Sequence, residues 1–141
     1  MKSDENDVFQ AIAAGDLECV KRFLLAGADP NFKGSTGWTL LKCAIEHENK
    51  EIIQFLIHSG ADVNYQSSGE WTPLHQAVDI SIDGTIQTGG KPGEEPTDII
   101  QYLLDHGADM NIKDMNGASP LDMAINYRSK KIITFLNEYE L

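Results

Sequence analysis

The sequence predicts an all-helical fold, a short solenoid of about four stacked helix pairs, and three observations predict it. The tripeptide Gly-Ala-Asp recurs at residues 27–29, 60–62 and 107–109, each time with an Asn two residues after the Asp, at Asn31, Asn64 and Asn111. Helix-period apolar residues lie upstream of each copy: Val20, Phe23, Leu24 and Leu25, then Ile53, Phe55, Leu56 and Ile57, then Ile100, Leu103 and Leu104. Before the second and third of these stretches, and again after the last Gly-Ala-Asp, comes a shorter helical pattern opening on Thr or Ser. Spacings of i, i+3 and i+4 mark helices with one buried face. Self-similarity at a fixed period marks a repeat architecture.

The repeats follow in order. The first, about residues 1–33, lacks a leading turn. The second, about 34–66, opens its first helix on Thr39-Leu40-Leu41-Lys42-Cys43-Ala44-Ile45. The third, about 67–113, opens on Thr72-Pro73-Leu74-His75-Gln76-Ala77-Val78, and the fourth, about 114–141, on Ser119-Pro120-Leu121-Asp122-Met123-Ala124-Ile125. A Thr or Ser hydroxyl can cap free N–H groups, and Pro is tolerated in the first helical turn. Glycine after each second helix stops it. Ala11, Ala44, Ala77 and Ala124 fall at equivalent places, where a small side chain lets helices approach closely. Successive Gly-Ala-Asp copies are 33 and then 47 residues apart, an excess of 14. The excess lies between the two helices of the third repeat, within 81–96. Its four glycines and two prolines predict a loop, with Thr97 capping the resumed helix. Residues 1–141 are expected to form one domain.

Thr72-Pro73-Leu74-His75-x-Ala77, with Gly-Ala-Asp-x-Asn at a 33-residue period, resembles the ankyrin repeat, and the resemblance covers nearly the whole chain. It implies a concave recognition surface made of the turn tips and the exposed side of each first helix. The tips are Lys33 to Trp38, Gln66 to Trp71 and Lys113 to Ala118. The first-helix positions are Glu46 and His47, Asp79 and Ile80, then Asn126 and Tyr127. It also implies that His75 is a structural hydrogen-bonding residue between repeats rather than a catalytic one. Trp38 and Trp71 share one repeat position, which is variable in the family. They read either as hot-spot anchors for a partner or as packing over their own turns. In this geometry the 81–96 segment lies at the groove edge opposite the tips. There it either grips a partner's flank or is a tolerated insertion.

Charge narrows the partner. The chain carries 22 Asp and Glu against 11 Lys and Arg, a net charge of −11. Such a surface repels phosphate backbones and anionic lipid, which argues against nucleic acid and membranes. Its natural complement is a basic protein surface; plain solubility is the alternative explanation. Between residues 60 and 112 nine acids face one base, Lys91. Asp62 and Asp109 belong to the repeated turn and are expected to be structural. Glu70, Asp79, Asp83, Glu94 and Glu95 are expected to be free to meet a partner.

Other chemistries find little support. The N-terminus lacks a signal peptide's apolar stretch, and no apolar run is long enough to span a membrane. Cys19 and Cys43 sit at core-type helical positions, which suits buried thiols in a reducing cytoplasm better than a disulfide. No cofactor motif and no paired-cysteine metal pattern is present. Gly84-x4-Gly89 leads into Gly90-Lys91-Pro92, not into the Gly-Lys-Ser/Thr of a phosphate loop. Asp79-x-Ser81-x-Asp83-Gly84 imitates the first half of a calcium loop, but Gly90 stands where the bidentate Glu belongs. No pattern sets a Ser or Cys nucleophile beside a histidine, so an enzyme is not expected. The expectation is a monomeric cytoplasmic binding protein with no appended domain, whose activity is binding itself. It resembles small stand-alone bacterial ankyrin proteins, some of them encoded beside secreted toxins. That likeness implies an immunity protein inhibiting a basic, nuclease-like toxin; a scaffold or adaptor recruiting a cellular partner is the alternative.

Overall fold

A computed structural model of the chain describes residues 2–35, 37–87, 89–90, 93 and 95–139, the side chains of 2–6 and 68 excepted. The described residues are all-helical, apart from one isolated bridge between Lys33 and Thr39. Contacts gather into two compact units, residues 1–63 and 64–141, each holding two helix pairs.

The first unit contains α1 (Lys2–Ala14), α2 (Leu17–Leu25), α3 (Leu40–Glu46) and α4 (Lys50–His58). Each pair packs on itself, α1 packs on α3, and α2 on α4. Ile12, Val20, Leu40, Leu41, Ile45, Ile52, Ile53 and Leu56 are fully buried between them. The starts are fixed by side chains. Asp16 accepts from the Cys19 N–H at 3.1 Å, Thr39 from Lys42 at 3.0 Å and Asn49 from Ile52 at 3.0 Å. These are N-caps that satisfy otherwise orphaned donors. Cys43 is buried and its thiol is pushed up by that burial, whereas Cys19 is only half-buried.

The second unit contains α5 (Pro73–Gln87), α6 (Asp98–Asp105), α7 (Pro120–Asn126) and α8 (Lys130–Tyr139). Here α5 packs on α6 and α7, and α7 on α8. Leu74, Val78, Ile100, Leu103, Ala124, Ile132 and Leu136 form its core. Ser119 and Asp122 close a reciprocal capping box at α7. Thr97 stands at the N-cap of α6, but its side chain makes no capping bond.

The repeated motif acts as a clasp. The Asn31 side chain donates to the Gly60 carbonyl at 3.1 Å and accepts from the Asp62 N–H at 2.6 Å. Asn64 does the same to Gly107 and Asp109, at 3.1 and 2.8 Å. Asp29 and Asp109 in turn accept from the N–H groups of Asn31 and Asn111. Gly27, Gly60 and Gly107 all have φ near +100°, which glycine alone tolerates cheaply. Ala11, Ala44, Ala77 and Ala124 are all buried, as their repeat register requires.

The expected loop is shorter than its composition suggests. The segment 81–96 is not a loop throughout, because α5 continues without a break to Gln87. Ser81 and Ile82 extend its buried side, Thr85 Oγ1 donates to the Ser81 carbonyl, and Gln87 donates to Asp83. Gly84 inside the helix costs only about 1 kcal/mol, which burial of Ile82 exceeds. Among the described residues no helix is long and apolar enough to cross a membrane.

Candidate partner-binding site

In the first unit the tip is a small hairpin. The Gly34 N–H donates to the Trp38 carbonyl at 3.0 Å, and Gly37, at φ +84°, donates back to Gly34 at 2.9 Å. At Gly34 a Cβ would lie 2.8 Å from the Phe9 ring, so any side chain there would have to displace that ring. Trp38 is half-buried, with the Lys42 ammonium 5.0 Å from its ring centroid, a cation–π contact. Glu46 and His47 are exposed at the end of α3.

In the second unit two successive tips are joined. Ser67 donates to the Trp71 carbonyl at 2.9 Å and Asp114 to the Ala118 carbonyl at 2.8 Å, the same closure in both. The Met115 N–H donates to the Gly69 carbonyl at 2.9 Å, and the Gln66 side chain donates to the Lys113 carbonyl at 3.1 Å. Position for position, Glu70 stands where the other tips have Gly37 and Gly117, and it adopts their left-handed conformation, φ +60°.

Trp71 sits on a structural network. Its ring stacks over His75 at 6.4 Å between centroids, and its indole N–H donates to the Asp114 carboxylate. Asp114 is buried and also accepts from the N–H groups of Asn116 at 2.8 Å and Ala118 at 3.0 Å. The Ala118 N–H does most to hold its carboxyl below the usual range, with Asn116 and Trp71 adding to it against burial. His75 is fully buried. Its Nδ1 faces the Thr72 N–H at 3.1 Å and its Nε2 faces the Ala118 carbonyl at 2.8 Å. A backbone N–H can only donate and a carbonyl only accept, so the proton is on Nε2. His75 therefore ties the third repeat to the fourth, the structural role expected of it.

On α5 Asp79 is half-buried and accepts from the hydroxyl of Tyr127, at the end of α7, at 2.9 Å. That bond, with burial and the charges of Asp79 and Asp83, pushes the Tyr127 phenol up. Ile80 is half-buried, and Asn126, Tyr127 and Asp83 are exposed. Asp83 accepts from Gln87 at 2.6 Å. Glu94 lies outside the described residues.

Glu95 is a correction. It is not free to face a partner but buried, accepting from the Gly93 N–H at 2.9 Å and the Ser129 hydroxyl at 3.2 Å. Ser129 caps α8, so Glu95 fastens the inserted segment to the fourth repeat. The calcium motif also falls. Asp79, Ser81 and Asp83 lie on a helix, and the buried Ser81 hydroxyl is taken by the Pro96 carbonyl. Among the described residues no cluster of three His, Cys, Asp or Glu could hold a metal. Sequence reasoning missed Asp114, whose repeat counterparts are Gly34 and Ser67. It also missed Ile86, hidden by the reading of its segment as a loop.

A family model for ankyrin repeats in three copies matches residues 8–83, and a single-repeat ankyrin model matches residues 69–115. No curated protein matches the chain.

Proposed function

The chain belongs to the ankyrin-repeat family, whose repeats serve protein–protein interaction, and from that premise we propose that it binds a basic protein partner and blocks it. One observation carries this. In the second unit Glu70, Asp79 and Asp83 make no ion pair among the described residues, and they accompany Trp71, Ile80 and Tyr127 on accessible positions. Uncompensated charge beside aromatic side chains suits a partner of opposite sign, speeding encounter and setting specificity. Trp38, Glu46 and His47 are the corresponding side chains of the first unit.

The narrower form is a bacterial, cytoplasmic immunity protein that inhibits a nuclease-like toxin. Its support is charge: a nuclease must hold nucleic acid on a basic surface, which an acidic inhibitor can cover. Affinity capture with the immobilised chain tests it, followed by assay of the captured protein's own activity. The expected result is one basic protein, bound one to one, inhibited on binding and released by salt. Several weakly held partners that keep their activity would instead make the chain an adaptor. A salt-resistant acidic partner would sink the charge argument. The variant Trp71→Phe keeps the ring but removes the Asp114 bond, and so separates contact with the partner from support of the tip.

A further inference from the structure

α5 has fifteen residues, where its counterparts α3 and α7 have seven. The two added turns form an arm with two sides. Ser81 and Ile82 are buried on one. Asp79, Asp83 and Ile86 follow at i, i+4 and i+7 on the other, one stripe of a helix. Ile86 is 69% exposed and Tyr127 is 50% exposed. The Tyr127 hydroxyl rests on Asp79, and both Asp79 and Asp83 act on its phenol, so ring and acids share one patch. Neither acid is ion-paired among the described residues.

The base of the arm and the return of the inserted segment are both held by side chains. Ser81 Oγ donates to the Pro96 carbonyl, and buried Glu95 holds both the Gly93 N–H and the Ser129 hydroxyl at the start of α8. A glutamate is rarely buried unless its oxygens are satisfied. Here that burial fixes the return of the inserted segment against the start of α8.

Resting on the reading that this chain binds a basic protein, we propose that the α5 arm is the docking face for a partner segment that presents lysine or arginine beside an apolar side chain. Ile86 and the Tyr127 ring receive the apolar group, and Asp79 and Asp83 receive the cation. Charge complementarity selects this occupant. An acidic segment is repelled. A wholly apolar one would strip water from two carboxylates without giving them a partner. Glu95 is a positioning residue, which holds the arm without touching the partner.

Three synthetic helical peptides test this on the full chain: one of Lys and Leu, one of Lys and Ser with the same charge, and one of Glu and Leu. Amide shifts and titrated affinity are the readouts. The Lys–Leu peptide should bind best and shift residues 79–87 and 127. Its affinity should fall about tenfold, ~1.4 kcal/mol, in Ile86→Ser and again in Asp83→Asn, neither of which touches the core. Glu95→Gln should weaken it while the helical circular dichroism stays unchanged. Equal binding of the Lys–Ser peptide would overturn the apolar half of the proposal, and with it the assignment. Shifts gathered on 66–71 and 113–118, with Ile86→Ser silent, would overturn the arm but leave the basic-partner reading standing. Binding by neither basic peptide would overturn both.

Discussion

Asp114 shows how much one side chain can organise. A single carboxylate collects two backbone N–H groups of its own turn and the indole of the preceding repeat. Asp114→Ala leaves three donors without their acceptor, a loss of about 1–3 kcal/mol, to be read as a lower melting temperature. The pH dependence has a definite sign. Asp114 and Asp122 are both held below their ordinary values, chiefly by the backbone N–H groups of Ala118 and Ser119 respectively. Groups depressed on folding stabilise fully above the unfolded carboxyl value, about 3.9. That contribution is lost as pH falls through the lower folded values. Melting temperature should therefore drop below about pH 4, and less steeply in Asp114→Ala, which has already lost one of these two carboxylates. An unchanged acid limb would show that Asp114 is not responsible. Glu70 poses the opposite case. A non-glycine residue in the left-handed region costs roughly 1–2 kcal/mol, and glycine's extra unfolded entropy returns roughly 0.5–1 kcal/mol. Glu70→Gly should thus raise stability by up to ~1 kcal/mol while weakening a basic partner. Lost stability would mean that the Glu70 side chain supports the tip.

At the scale of elements, the helix pairs were legible and the arm was not. Gly-Ala-Asp-x-Asn carries its own local logic: a left-handed glycine, an Asp that holds the following Asn, and an Asn that clasps the next copy. Each of those roles demands a residue type, so each leaves a mark in the sequence. The buried alanines and the Thr and Ser caps are legible for the same reason. The arm leaves weaker marks. Its glycines and prolines suggest a loop along 81–96, yet all but Gly84 fall after Gln87, and Ile82 and Ile86 decide the helix before them. Glu95 looked like surface because acids usually are. Only the fold brings Ser129, 34 residues away, to its carboxylate. Glu95→Ala should therefore loosen the arm and the first turn of α8 together. Hydrogen exchange should quicken across 81–87 and 130–133, while Leu74 and Val78 at the start of α5 remain protected. Faster exchange in the arm alone would show that Glu95 does not couple it to the fourth repeat.

For the whole molecule the governing quantity is charge. A net −11 on 141 residues makes like charges repel within the folded chain. One ion pair that offsets this in part joins Lys21 to Glu18, 3.6 Å apart, with Glu18 mostly in water and Lys21 partly so; exposed pairs of this kind contribute about 0–1 kcal/mol. With acids outnumbering bases two to one, salt screens more repulsion than attraction. Raising ionic strength from about 0.01 M to about 0.15 M shortens the screening length from roughly 30 Å to roughly 8 Å, so melting temperature should rise. The same salt should slow association with a basic partner, because steering across the interface is attraction of opposite charges. Stability and binding are thus expected to move in opposite directions over one titration. Thermal melts and binding rates measured in the same buffers check it. A melting temperature that falls with salt would mean that hidden favourable pairs outweigh the net charge. A binding rate indifferent to salt would remove the acidic surface from recognition, leaving Trp38, Trp71 and Tyr127 to account for it by contact alone.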